Sequence, residues 1–138
     1  MGLPGAGKTT LAKIIAPKIS ANIINADEIR KKYNDWDFSE EGRIRQSNRM
    51  RDICEKITFK GNNVIADFIC PTKKTRFDFN PDIVIWVDTI EKGRYEDTNL
   101  LFEKPKNFFL RVSSKDAEFW SKEIIKKFKE QNILNNED

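Results

Sequence analysis

The sequence contains no histidine, and only two of its 138 residues are cysteine. Without imidazole, Ser–His and Cys–His nucleophilic relays and histidine-based metal sites are excluded. Cys54 and Cys70 lie far apart with no C-x-x-C spacing, so no disulfide framework is indicated and both are expected to be reduced. No apolar run approaches membrane-spanning length and no signal peptide is visible, which leads to the expectation of a soluble, cytoplasmic protein. Neither sign of charge dominates: 25 basic against 22 acidic residues leave a net charge of +3. That balance does not demand nucleic acid and suits a phosphorylated small molecule equally well. Chemistry in this chain must therefore run on carboxylates, lysine, arginine and a metal ion.

Glycine is also scarce, with six in all, yet three fall within the first seven residues. Gly2-Leu3-Pro4-Gly5-Ala6-Gly7-Lys8-Thr9 fits G-x-x-x-x-G-K-[ST], and Thr10 leads into the helical run Leu11-Ala12-Lys13-Ile14-Ile15. Glycines at these offsets let successive N–H groups turn toward phosphate oxygens, and the following helix presents its positive end to the same anion. The expected nucleotide-binding residues are Gly2, Gly5, Ala6, Gly7, Lys8, Thr9 and Thr10, with ATP and Mg2+ as cofactors. In this pattern Lys8 reaches the β- and γ-phosphates and the Thr9 hydroxyl ligates magnesium. The bland alternative is a glycine-rich turn before an ordinary helix.

Such a loop normally follows a buried parallel strand, whereas here one residue precedes the first glycine. The expectation is a single domain over residues 1–138, N-terminally truncated so that its first strand is missing. The alternative is that another segment fills that place.

Downstream, strands and helices alternate. A helix is expected over 7–16, ended or kinked by Pro17, then a strand over 22–26 running to Asp27, and a helical turn over 28–33. Ser39, with Glu40 and Glu41 behind it, should cap a long helix ending near residues 60–61. Val64-Ile65-Ala66 before Asp67 reads as a strand buried on both faces, residues 72–79 as a basic helix or loop, and 82–88 as the clearest strand. A short mobile lid is expected over about 90–105, a strand over 107–112, a closing helix capped by Ser113 or Ser114, and fraying over 132–138. This order implies a three-layer α/β fold with a parallel sheet and a ligand site at the carboxyl ends of the strands.

Asp27, Asp67 and Asp88 are each expected at or just past such an end. Any of them can hold the magnesium shell or accept a proton from an attacking hydroxyl, or can be a solvated strand terminus. Asp67, after its apolar run, has the usual shape of a magnesium-shell carboxylate, and Thr9 and Asp67 are the metal candidates. Arg30, Arg43 and Arg49 suit an anionic acceptor or a solvated helix face. Phe38, Phe68 and Tyr95 suit base stacking or core packing, with core favoured for Phe68.

Taken together, Asp27-Glu28-Ile29-Arg30, Asn34-Asp35, Phe38-Ser39-Glu40-Glu41 with Arg43, and Phe68-Ile69-Cys70-Pro71 with Lys74 and Arg76 resemble the adenylylsulfate (APS) kinases in order and spacing. The likeness runs from Gly2 to about Thr89, and weakly from Tyr95 to Pro105. It implies transfer of the ATP γ-phosphoryl group to the 3′-hydroxyl of adenosine 5′-phosphosulfate, in sulfate assimilation. It further implies that Lys8 and Asp27 are catalytic, with Asp27 beside the acceptor hydroxyl. Arg30, Asn34 and Arg43 would contact APS, Phe38 would stack on its adenine, Phe68 and Ile69 would line the pocket, and Tyr95 would serve as a second stacking ring. Departures are visible: Asn25-Ala26-Asp27 replaces the family's Asp-Gly-Asp, Cys70 and Gln46 replace a serine and an asparagine, and Asp67 stands where small or hydroxyl residues are usual. Most of the basic lid is missing too, leaving Arg94 as its one obvious arginine. Another small-molecule or polynucleotide kinase, or a nucleotide-binding remnant without catalysis, are the alternatives. The oligomeric state is left open, a homodimer included.

Overall fold

The computed structural model describes residues 1–134. Its elements are, in order, α1 (Lys8–Lys18), β1 (Ala21–Asn25), α2 (Ala26–Tyr33), α3 (Glu40–Phe59), β2 (Asn63–Asp67), α4 (Lys73–Phe79), β3 (Ile85–Val87), α5 (Glu96–Leu101), β4 (Leu110–Val112) and α6 (Ala117–Glu130). All strand pairing is parallel, in two separate pairs. β1 runs beside β2 with Ile23 opposite Ile65 and Asn25 opposite Asp67, while β3 runs beside β4 with Trp86 opposite Arg111.

Helices cover the strands in two layers. α1 and α6 pack together, and Leu11 and Ile15 meet Val87, Val112, Ile124 and Phe128 in one apolar cluster. α3 packs on β2 and α4, with Met50 fully buried. The outcome is a three-layer α/β domain with parallel strands, as the alternation implies.

Several boundaries differ from expectation, each for a local reason. β1 stops at Asn25, whose side chain accepts from the Glu28 N–H and caps α2. Asp27 is therefore in the first turn of a helix and does not end a strand. Pro17 does not break α1, since it stands one residue from the helix end and the Ile19 N–H still bonds to the Ala16 carbonyl. Ser39 caps α3 by accepting from Gly42, as its position suggests. Residues 72–79 resolve to a helix because Thr72 and Thr75 form a reciprocal capping box.

The strand expected over 82–88 is only three residues long, because β4 offers only three partners. Val64, Ile65 and Ala66 are only half-buried, where burial on both faces is expected. The closing helix is capped by Asp116, whose carboxylate accepts from the Phe119 N–H; Ser114 instead accepts from Trp120 Nε1. Residues 133 and 134 do not fray but fold back, both amides donating to the Phe128 carbonyl. The remainder of the expected frayed end, 135–138, lies outside the described residues.

No helix among the described residues is long and apolar enough to cross a membrane.

Candidate nucleotide and acceptor site

The glycine loop sits where the two strand pairs approach each other. Gly2 is required by contact: a Cβ there would collide with the Val87 carbonyl oxygen. Gly7 adopts φ 100° immediately before α1, a left-handed conformation that an L side chain rarely tolerates, and so turns the loop into the helix. The Lys8 ammonium donates to the Leu3 carbonyl at 2.9 Å, folded back across its own loop. Burial lowers its pKa, while Asp67 and then Asp27 oppose the shift. Both carboxylates therefore lie within electrostatic reach of this lysine.

Thr9, the next residue, donates its hydroxyl to Asp67 Oδ2 at 2.6 Å, and the same oxygen accepts from Asn25 Nδ2 at 2.9 Å. Asp67 is buried, held at the end of β2 by the apolar strand before it. Across the loop, the Thr89 hydroxyl donates to the Ala6 carbonyl at 2.6 Å and fixes that peptide plane. Thr10 is exposed on the first turn of α1.

The acceptor candidates form a second group on α2, α3 and the loop between them. Arg30 is buried, donates to the carbonyls of Asp35 and Asp37, and lies 4.2 Å from the centre of the Phe38 ring. Burial lowers its pKa, with Asp35 and, more weakly, Asp27 opposing. Arg43 approaches the same ring at 5.6 Å and donates to the Phe38 carbonyl and the Thr98 hydroxyl of α5. Phe38 itself remains 48% exposed, so one side of it is open to a ligand.

Asn34 ends α2 in a left-handed conformation, φ 49°. Asp27 is exposed at the start of the same helix. Phe68 is half-buried and packs against Phe79 at 5.1 Å, and the Ile69 carbonyl accepts from the Gly2 N–H. Tyr95 is exposed at the start of α5 with Arg94 stacked on it at 5.3 Å. Asp88 does not join the loop: it is paired to Arg111 at 2.7 Å, outside the site.

Sequence reasoning missed four contributors. Thr89 is a short polar residue just past a strand end with no motif to mark it, and Asn25, noted only as a departure from the family's Asp-Gly-Asp, was given no role. Asp35 accepts from Arg45 and Arg49, bonds that hold its carboxyl well below the usual carboxylate range, and so fixes the loop that presents Phe38. Asn99 brackets Gly93 with bonds to both its N–H and its carbonyl, closing the expected lid into a short clasp built on α5.

A parallel α/β core with a glycine loop wrapped onto the start of a helix, and a carboxylate bonded to the Thr after its Lys, defines a P-loop nucleotide-binding domain. The adenylylsulphate kinase family model matches residues 1–105, and the chain belongs to that family. Among solved structures it resembles the Mycobacterium tuberculosis APS kinase CysC in complex with AMPPNP and APS, at 20% identity and TM-score 0.75, covering 94% of both chains. The Cys556Ala mutant of that enzyme gives 24% identity and TM-score 0.73, over 94% of this chain and 93% of the other. A hexameric APS kinase from Thiobacillus denitrificans gives 22% identity and TM-score 0.77, over 98% of this chain and 29% of that one. At these identities the likeness establishes the fold. No curated protein matches the chain in sequence.

Proposed function

We propose that the chain is an ATP- and magnesium-dependent phosphotransferase that acts on the 3′-hydroxyl of adenosine 5′-phosphosulfate. One observation carries the reading: a glycine loop whose Thr9 is bonded to the buried Asp67 carboxylate stands in the same domain as two arginines, Arg30 and Arg43, gathered on the half-exposed Phe38 ring. Family membership and the fold of the AMPPNP- and APS-bound relative support the same assignment.

In this reading the loop amides and Lys8 hold the β- and γ-phosphates, and Lys8 leaves the Leu3 carbonyl to do so. Arg30 and Arg43 grip the anionic end of the acceptor, whose adenine lies on the open side of Phe38. Asn34, Ile69 and Tyr95 complete the acceptor's surroundings. Asp27 accepts the hydrogen bond of the acceptor hydroxyl. The hydroxyl oxygen bonds to the γ-phosphorus as the bond to the bridging oxygen breaks, its proton passes to Asp27, and ADP leaves. The Thr9 hydroxyl and Asp67 carboxylate are hard oxygen donors suited to magnesium, which usually takes one or two carboxylates beside phosphate oxygens and water. When bound, the ion neutralises phosphate charge as a Lewis acid.

The test is ADP release from ATP and magnesium with adenosine 5′-phosphosulfate, beside gluconate, nucleosides and a 5′-hydroxyl oligonucleotide. APS-dependent release that Lys8→Ala and Asp27→Asn abolish is the expected result. Turnover of another acceptor, or ATP binding with no turnover, overturns it. The second outcome would fit the small lid, whose Arg94 is spent on Tyr95.

A further inference from the structure

α5 is six residues long, fewer than two turns, and a helix of that length does not hold itself in water. Nor do its leucines seat it, since Leu100 is 80% exposed and Leu101 is exposed as well. Its position therefore depends on hydrogen bonds to the surrounding chain. Just past the helix, the Glu103 N–H donates to the Pro71 carbonyl at 2.7 Å. On the side of α3, Arg43 Nη2 donates to the buried Thr98 hydroxyl at 3.1 Å and reaches Asp97 at 3.4 Å.

The remaining tie is made by Asn99. Its Oδ1 accepts from the Gly93 N–H at 2.8 Å, and its Nδ2 donates to the Gly93 carbonyl at 2.9 Å. One orientation of the amide satisfies both bonds, because the reverse would set donor against donor and acceptor against acceptor. Gly93 in turn lies on the phosphate loop: a Cβ there would come within 3.2 Å of Pro4. The segment leading to Gly93 is seated on the same loop, through the bond from Thr89 to the Ala6 carbonyl and through Ile90 beside Gly5. A continuous path thus runs from the loop through Gly93 and Asn99 to Thr98 and Arg43.

We propose that Asn99 is a positioning residue for Arg43. By pinning α5 to the segment seated on the phosphate loop, it keeps Thr98 and Asp97 where they aim the Arg43 fork at the acceptor's anionic end. The inference rests on the reading of Arg43 as an acceptor-gripping side chain. Asn99 acts through its neighbours and touches neither ligand. Its loss should be felt at the acceptor, because a guanidinium fork binds an anion only when both of its donors are aligned. Nucleotide contacts should be spared, because Thr89 fixes the Ala6 peptide without Asn99.

The test compares the parent with Asn99→Leu, which keeps the size and loses both bonds, and with Asn99→Asp, which keeps the acceptor but opposes an oxygen to the Gly93 carbonyl. Leu100→Ala, on the exposed side of the same helix, is the control. Without ligand, exchange of the Phe102 amide, which donates to the Thr98 carbonyl, should be at least tenfold faster in Asn99→Leu and unchanged in the control. In isothermal titrations with magnesium, Asn99→Leu should weaken APS about tenfold and AMPPNP less than twofold, with Asn99→Asp between Asn99→Leu and the parent. In an Arg43→Lys background the same change at Asn99 should cost APS less than twofold, because the fork it aims is already gone. A general loosening of the domain would instead weaken APS equally in both backgrounds, and that result would overturn the proposal. So would unchanged Phe102 exchange in Asn99→Leu, or an equal loss of AMPPNP and APS. A parent chain that binds AMPPNP but no APS would overturn the acceptor reading itself and the role of Asn99 with it, so the two failures are read apart.

Discussion

Asn25 and Asp67 are register partners at the ends of β1 and β2, and the Asn25 amide donates to the same carboxylate oxygen that takes the Thr9 hydroxyl. The two strands thus hold one charged oxygen in front of the phosphate loop. Asp67→Asn should keep the shape and lose the charge, and ADP release should fall about 100-fold or more. Thr9→Ser should retain most activity, whereas Thr9→Ala should not. Steady-state kinetics across a magnesium titration would read both. Equal rates for Asp67→Asn and the parent would remove this carboxylate from the proposed chemistry.

Thr89 reaches the loop from beyond β3. Its 2.6 Å bond to the Ala6 carbonyl orients a peptide of the loop proposed to hold phosphate. Thr89→Val keeps the volume but leaves that carbonyl without its donor, at a cost of about 1–2 kcal/mol. The expected signature is a several-fold rise in the KM for ATP with a smaller change in kcat. Thr89→Ser should restore the parent value, which a loss of packing alone would not allow.

Arg43 joins three segments, bonding to Phe38 on one side and to Asp97 and Thr98 of α5 on the other. Its partner Asp97 is largely exposed, so the ion pair adds at most about 1 kcal/mol of stability. Arg43→Lys should therefore hardly move the melting temperature. Loss of the planar fork should nevertheless raise the KM for the anionic acceptor about tenfold. Isothermal titration with the acceptor, beside thermal melts, separates the two effects.

Folding should also depend on pH through Met1. The amine is lowered from 8.0 to about 5 in the folded chain, so the unfolded chain binds more protons between those values. Stability then rises with pH across that window, is complete above about 8, and is lost as pH falls toward 5. The full difference amounts to about 4 kcal/mol at most. Urea melts at pH 5.5 and 8, on the chain and on a form acetylated at the Met1 nitrogen, would show the dependence in the first and its loss in the second.

The phosphate loop was legible because its function needs fixed offsets of glycine, lysine and threonine, and the structure keeps those offsets on one helix start. Long elements were legible for a similar reason: Ser39 and the acids after it mark α3 whatever surrounds it. Strand lengths were not. The run at 82–88 is apolar enough to extend further, but a strand lasts only as long as its neighbours, which depend on residues far away in sequence. The end of β1 was set too late, since Asn25 can end a strand or cap a helix and the sequence does not choose; Asp27 still falls just past that end. Thr89 and Asp35 were hidden for a different reason. Each acts through one hydrogen bond to a distant main-chain or side-chain group, and such bonds leave no periodic trace.

The loop from Met1 to Thr9 is fastened to both strand pairs, through Gly2 to Ile69 and Thr9 to Asp67 on one side, and through Met1 to Ile85 and Ala6 to Thr89 on the other. It works as a splice between two half-sheets that, among the described residues, otherwise share no hydrogen bond. A ligand that stiffens the splice must also fix the alignment of the halves, so occupancy at the phosphate loop should be felt as far away as Trp86 and Ile23.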